Sequence, residues 1–189
     1  MEQTNGFEVE QKYAVNDEQQ LTEILADLGV EWIDSVVQRD VYFNHPSRDF
    51  AVTDEAVRIR VEDDNACLTY KGPKLGTQAK TRKEIELPIV GGIQSESAMH
   101  GFLLELGFSE VAVVSKQRRN GTCQWQGSAV AIALDHVEQL GCFIELELLV
   151  KDASEISAAQ ATLDDLASRA ELATSDRRGY LDMLLESDS

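Results

Sequence analysis

The feature that most restricts the fold of this chain is a two-residue alternation in which one set of positions is apolar and the other carries charges of both signs. Phe7, Val9 and Tyr13 alternate with Glu8, Glu10 and Lys12; Val57, Ile59 and Val61 with Arg58 and Arg60; Leu68 and Tyr70 with Thr69 and Lys71. Lys80 and Arg82 share a parity with Glu84 and Glu86, opposite Ile85, and Lys116 shares one with Arg118. Side chains two apart on a strand lie on one face, with Cα atoms roughly 6.5 Å apart at about 3.3 Å per residue. Each Glu-x-Glu pair therefore offers two carboxylates to one space, and each run builds a sheet with one charged wall and one apolar wall.

Such alternation predicts strands over 7–15, 36–43, 56–62, 67–71, 80–89, 110–118, 129–134 and 141–150. Asp63, Asp64 and Asn65 make one turn, and Lys71, Gly72 and Pro73 another. Helical spacing appears in four places. Leu21, Ile24, Leu25 and Leu28 follow a capping Asn16 or Asp17 and precede Gly29, and Met99, Phe102, Leu103 and Leu106 follow a start near Ser95 and precede Gly107. A third helix is predicted over 154–170 and a short amphipathic one over 179–185. The units repeat: Glu8 and Glu10 lead into the helix ending at Gly29, Glu84 and Glu86 into the one ending at Gly107, and Glu145 and Glu147 into the third. That self-similarity suggests a pseudo-symmetric sheet made of related halves.

For any one strand, a charged face in water is the ordinary outcome of alternation. Across six strands that outcome weakens, because helices with apolar stripes must cover the apolar wall and the charged wall repeats its mixed signs. A sheet of about eight strands can close into a barrel with room for side chains and one small ligand. The expected fold is α+β: a closed eight-stranded antiparallel β-barrel, or tunnel, with helices packed outside. It forms one domain over 1–189 with its core at about 7–185.

The whole-chain charge of −17 excludes a general nucleic-acid binder, which needs cationic surface to displace counterions. Yet ten of the 17 basic residues fall between positions 58 and 119, so an acidic chain concentrates its cations on a few strands. Mixed signs lower the cost of burying charge, and a polyanion with its metal completes the balance. Carboxylate pairs are hard oxygen ligands suited to Mg²⁺ or Mn²⁺, while Arg and Lys hold phosphoryl oxygens and stabilise developing negative charge. A phosphate chain bridged to metal uses both.

Other features point away from alternative chemistries. No run approaches the roughly 18 apolar residues of a membrane span, and residues 1–6 are polar, so the expectation is a cytoplasmic protein with no membrane partner. Cys67, Cys123 and Cys142 are odd in number and far apart, suggesting neither a disulfide framework nor a zinc site. His45, His100 and His136 are scattered and read as surface or turn residues, Trp32 and Trp125 as packing residues, and no Ser-His-Asp or Cys-His set is evident.

The ordered set Glu8-x-Glu10-x-Lys12, Arg58-x-Arg60, Lys71, Arg82-x-Glu84-x-Glu86, Lys116-x-Arg118, Asp135 and Glu145-x-Glu147 resembles the signature of the CYTH superfamily of triphosphate tunnel metalloenzymes, over almost the whole chain. The resemblance implies metal ligation by Glu8, Glu10 and Glu145, with Glu147 contributing directly or through water, and Glu84 and Glu86 as further tunnel acids. It implies a triphosphate clamp of Lys12, Arg58, Arg60, Lys71, Arg82, Lys116 and Arg118, with Lys80 on the same wall. Lys12, Lys71, Lys116, Arg118 and Asp135 are then the residues placed nearest the chemistry. The segment from Asp40 to Arg60, with Tyr42-Phe43-Asn44, Arg48-Asp49-Phe50 and Thr53-Asp54-Glu55, is similar to the class IV adenylyl cyclase branch, as is the tail from Gly179-Tyr180. That branch implies conversion of ATP to cyclic AMP and pyrophosphate, and by family analogy a homodimer. A triphosphatase acting on inorganic triphosphate, thiamine triphosphate or a nucleoside triphosphate would use the same clamp. A sensor that only binds nucleotide or polyphosphate is the remaining class, against which the paired carboxylates weigh.

Overall fold

The computed structural model describes residues 7–73 and 84–187. Eight strands are formed: β1 Phe7–Ala14, β2 Glu31–Asn44, β3 Ala56–Glu62, β4 Asn65–Lys71, β5 Glu84–Pro88, β6 Ser109–Trp125, β7 Ser128–Val137 and β8 Gly141–Val150. The helices are α1 Glu18–Asp27, α2 Phe50–Thr53, α3 Ile93–Glu105, α4 Ile156–Arg169 and α5 Tyr180–Ser187. The N-terminal part of the expected strand over 80–89, with Lys80 and Arg82, lies outside the described residues.

All strands are antiparallel, in the order β1-β8-β7-β6-β2-β3-β4-β5. Exchanging β1 with β5, β2 with β6, β3 with β7 and β4 with β8 reproduces this order reversed, so the sheet is built from two four-strand halves. The Glu-x-Glu strands of β1 and β5 reflect this symmetry, opening the two halves and forming the two edges of the sheet, whereas the third pair, on β8, has no counterpart on β4.

The charged positions face a cavity lined from β1, β2, β3, β4, β5, β6 and β8, which requires the sheet to curl around its charged wall. Among the described residues no ladder joins β5 to β1, so of the expected closed barrel the structure shows an eight-stranded antiparallel sheet curled into a half-barrel. Among these residues β5 spans Glu84–Pro88 and pairs with β4.

The apolar wall faces outward and is covered by helices, because buried apolar area supplies the main driving force for packing. Val9, Ile132, Leu134, Ile144, Leu146 and Leu148 pack with Leu21 and Leu25 of α1 and Leu163 and Leu166 of α4. Asp17 caps α1 by accepting from the Gln20 amide at 2.9 Å. A second core joins Val41, Phe43, Val57 and Ile59 to Phe50 of α2 and Leu103 of α3. The stripe expected on α3 is only partly used: Leu103 is buried, but Phe102 and Leu106 stay more than half exposed.

β2 and β6 run well beyond their expected limits. A bulge between Trp32 and Asp34 breaks the alternation at the start of β2 and leaves Ile33 exposed. The extension of β6 depends on Gly121, where a Cβ would meet Trp32 Cε3 at 2.9 Å and the Glu31 carbonyl at 3.1 Å. Trp32 lies across that glycine, with the Arg119 guanidinium 4.2 Å from its ring centroid.

Candidate functional site

Period-two geometry brings the expected site residues together. Glu8, Glu10 and Lys12 of β1, Arg58 and Arg60 of β3, Lys71 of β4, Glu84 and Glu86 of β5, Lys116 and Arg118 of β6, and Glu145 and Glu147 of β8 all line one cavity of about 310 Å³. Asp135 of β7 lies beneath them, fully buried. Lys80 and Arg82 fall outside the described residues.

The cations are held in two sets, one in each half of the sheet, with the aspartate on β2 in one and on β7 in the other. In the first, Asp40 of β2 accepts from Arg60 Nε and Nη2, each at 2.7 Å, and from Arg58 Nη1 at 3.0 Å. In the second, Asp135 accepts from Lys116 Nζ at 2.9 Å and Arg118 Nε at 2.7 Å, while Arg118 also reaches Glu145. In each half, one buried aspartate fixes two cations from the neighbouring strand, and bidentate contact sets the plane of a guanidinium fork. Burial opposes ionisation of Asp40, but Arg58 and Arg60 outweigh it and hold the carboxyl well below its usual range. Burial, then the charge of Arg118, pulls Lys116 down to about 8. On β4 and β5, Lys71 pairs with Glu84.

The carboxylates are arranged differently. Glu10 stands directly opposite Glu147 in the β1–β8 ladder, and Lys12 opposite Glu145. Like charges facing across a ladder are destabilising. Burial, followed by Glu147, Glu10 and Glu84, raises Glu8, while burial and then Glu10 raise Glu147. Such crowded, partly protonated oxygen donors fit a hard divalent cation, whose charge would relieve the repulsion. Glu84 of the other edge strand lines the same cavity as Glu8 and Glu147 and adds to the upward shift of both.

Tyr180, Asp40 and Tyr42 belong to the site and were not among the expected residues. The Tyr180 hydroxyl donates to Asp135 Oδ2 at 2.8 Å, and its ring lies 4.1 Å from Lys12 Nζ and 4.9 Å from Lys116 Nζ. Burial and then the nearby Glu145 and Asp135 push its hydroxyl far above the usual range. The segment before α5 is tied to β1 as well: Lys12 Nζ donates to the Arg178 carbonyl, and the Asp176 amide to the Lys12 carbonyl at 2.7 Å. Asp40 and Tyr42 could have been found by extending the two-residue rule along Gln38-x-Asp40-x-Tyr42. Tyr180 enters the sequence reading only within the tail similar to the cyclase branch; no local pattern marks its contact with Asp135, which lies 45 residues away.

The histidines and tryptophans do not line the cavity. His100 contacts Glu110, His136 contacts Glu18, and Trp125 Nε1 donates to Asp165.

A sequence model of the CYTH domain matches residues 6–180. The chain belongs to the CYTH family. Among its CYTH-like relatives, a Methanocaldococcus jannaschii protein named as a candidate adenylate cyclase is 40% identical over 149 residues, covering 79% of this chain and 81% of that protein. Adenylate cyclase CyaB of Aeromonas hydrophila is 27% identical over 179 residues, covering 92% of this chain and 86% of the other. A solved Pyrococcus horikoshii structure superposes with a TM-score of 0.85 at 38% identity, covering 95% of this chain and 99% of that one. Family membership brings divalent-metal chemistry on triphosphate-containing substrates, of the adenylyl cyclase or triphosphatase kind. No helix of the described CYTH domain is long and apolar enough to cross a membrane.

Proposed function

We propose that this CYTH protein is a divalent-metal-dependent adenylyl cyclase that converts ATP to cyclic AMP and pyrophosphate. The observation carrying this reading is that the cavity joins two chemistries. Its charged part offers the carboxylates and cations described above. Its other part, where β2 stops and β6 begins, is lined by Phe43, Phe50, Ala51, Val111, Leu181 and Leu185. An inorganic triphosphate would leave that apolar end unused, whereas a nucleoside would fill it. Apolar walls with a few placed polar groups are what small-molecule sites offer. The names carried by the Methanocaldococcus and Aeromonas relatives support the same choice.

In this reading Lys12, Arg58, Arg60, Lys71, Lys116 and Arg118 grip the triphosphate, with Lys80 and Arg82 joining on sequence grounds alone. Asp40 and Asp135 set the forks of their arginines. A divalent cation, Mg²⁺ or Mn²⁺, held among Glu8, Glu10, Glu145 and Glu147, supplies charge neutralisation at the phosphoryl oxygens. The ribose 3′-oxygen bonds to the α-phosphorus, the bond from that phosphorus to the bridging oxygen of the leaving group breaks, and the hydroxyl proton passes to solvent water. Lys116 and Arg118 stabilise the charge that collects on pyrophosphate. Closure of the half-barrel into a full tunnel belongs to the same reading.

A triphosphatase is the second reading, favoured by Glu84 and Glu86. They add a third carboxylate pair to the cavity, and hydrolysis needs only the charged part. Incubation with ATP, inorganic triphosphate and thiamine triphosphate in Mg²⁺ or Mn²⁺ separates the outcomes. Cyclic AMP with pyrophosphate supports the cyclase, orthophosphate release supports the triphosphatase, and binding without turnover indicates a sensor.

A further inference from the structure

On the outer face of the sheet, remote in function from the charged cavity, three residues of different chemistry converge from three elements. His136 of β7 and Cys142 of β8 are directly paired across the β7–β8 ladder, so their side chains share a face. That face is the one away from the cavity, because the adjacent Asp135 and Phe143 point inward to Tyr180. Glu18, in the first turn of α1, reaches the same place, with its Oε2 2.8 Å from His136 Nε2. The imidazole nitrogen, thiol sulfur and carboxylate oxygen all lie within 4.8 Å of one another.

We propose that Glu18, His136 and Cys142 form a second metal site, for a borderline ion such as Zn²⁺, with water in the fourth position. The donor set differs in kind from the cavity. Four carboxylates suit a hard cation, whereas imidazole and thiolate select a softer one. Tetrahedral coordination with ordinary zinc bond lengths places ligand atoms about 3.4–3.6 Å apart, so small side-chain rotations bring the group to bonding geometry. The surroundings also favour a cation. Burial raises the Cys142 thiol, and the negative charges of Glu18 and Asp135 add to that, while a coordinated ion removes the thiol proton outright. Glu18 and His136 are each about half exposed, which leaves a path for the ion and space for its water. Because Glu18 belongs to α1 and the other two to the sheet, the ion would clamp that helix to the β7–β8 hairpin.

The test is titration of the full chain with Co²⁺, followed by displacement with Zn²⁺. The expected result is a near-ultraviolet thiolate-to-cobalt charge-transfer band that disappears on adding Zn²⁺. Cavity carboxylates cannot produce such a band, so the failure of this site and the failure of the proposed catalysis are separable. The band should vanish in Cys142→Ser, persist in Cys67→Ser and Cys123→Ser, and survive Glu8→Gln. His136→Gln, at a half-exposed position where folding is not at stake, should weaken Co²⁺ binding by at least the roughly tenfold to hundredfold typical of losing even an outer-shell partner. Absence of the band, its survival in Cys142→Ser, or unchanged affinity in His136→Gln overturns the site.

Discussion

The Tyr180 hydroxyl donates to Asp135 Oδ2 across 2.8 Å, joining the last helix to the aspartate that fixes Lys116 and Arg118. The same ring carries Lys12 and Lys116 against its face. The tail is therefore part of the cation clamp rather than an appendage.

This relationship makes Tyr180 a positioning residue whose two parts can be separated. Tyr180→Phe keeps the ring and loses a hydrogen bond to a charged acceptor, worth about 1.5–3 kcal/mol. Tyr180→Leu also loses the face that meets both ammonium groups, worth about 2 kcal/mol where desolvated. Inorganic triphosphate affinity, measured by calorimetry, should fall modestly in the Phe variant and by roughly a further tenfold or more in the Leu variant, on the scale of that cation–π term. Equal affinities in variants that differ only in melting temperature would reduce Tyr180 to a packing residue.

Asp135 offers a second prediction. It is fully buried and neutralises parts of two cations. Asp135→Asn keeps the shape but removes the charge, and breaking one member of a buried ion network costs about 3–5 kcal/mol. Urea unfolding should show a loss of that order, whereas Glu86→Gln, an exposed carboxylate on β5, should change stability by less than about 0.5 kcal/mol. A loss for Asp135→Asn no larger than that of Glu86→Gln would mean that the network contributes little.

The charged wall was legible because two-residue periodicity is a local signal. Arg58 and Arg60, or Glu145 and Glu147, declare their common face without knowledge of the rest of the chain. Counterions across strands are less legible: Asp40 meets Arg58 and Arg60 only because β2 and β3 pair in a register that places Asp40 opposite Arg60. Closure of the tunnel is not legible in the sequence for a related reason. Alternation fixes which face is polar, but closure depends on whether the edge strands β1 and β5 meet, and no pattern within either strand encodes that. The sequence marks His136 only as a surface or turn residue and Cys142 as part of neither a disulfide framework nor a zinc site, and it does not single out Glu18. Their convergence depends on the β7–β8 hairpin and the docking of α1, both long-range facts for Glu18.

The acidic corner of the cavity predicts a pH response in metal-free protein. Glu8 is raised from 4.5 to about 8 by burial and then by Glu147, Glu10 and Glu84, and Glu147 to about 7 by burial and then Glu10. A carboxyl raised in the folded state stays protonated there while its unfolded counterpart ionises. Between pH 4.5 and about 8 the native chain thus binds more protons than the unfolded one, so stability falls as pH rises through this window. In chelator, the melting temperature should be higher near pH 5.5 than near pH 8, and Mg²⁺ or Mn²⁺ should recover more of it at the higher pH. A melting temperature in chelator that climbs across the window would contradict the assignment.

Glu10 gives the sharpest division between stability and function. It faces Glu147 directly across the β1–β8 ladder and raises the carboxyls of both Glu147 and Glu8. Glu10→Gln removes that repulsion while preserving shape, so metal-free protein near neutral pH should melt higher than wild type. The same change removes a charged donor from the proposed divalent site. Metal-dependent stabilisation and turnover should therefore fall together, turnover by about a hundredfold if charge stabilisation of the kind lost with one active-site donor is at stake. A variant that gains thermal stability in chelator yet keeps full metal-dependent turnover would place the catalytic cation elsewhere in the cavity. One that loses stability in chelator would show that Glu10 serves as a counterion within the clamp, answering the cations rather than opposing Glu147.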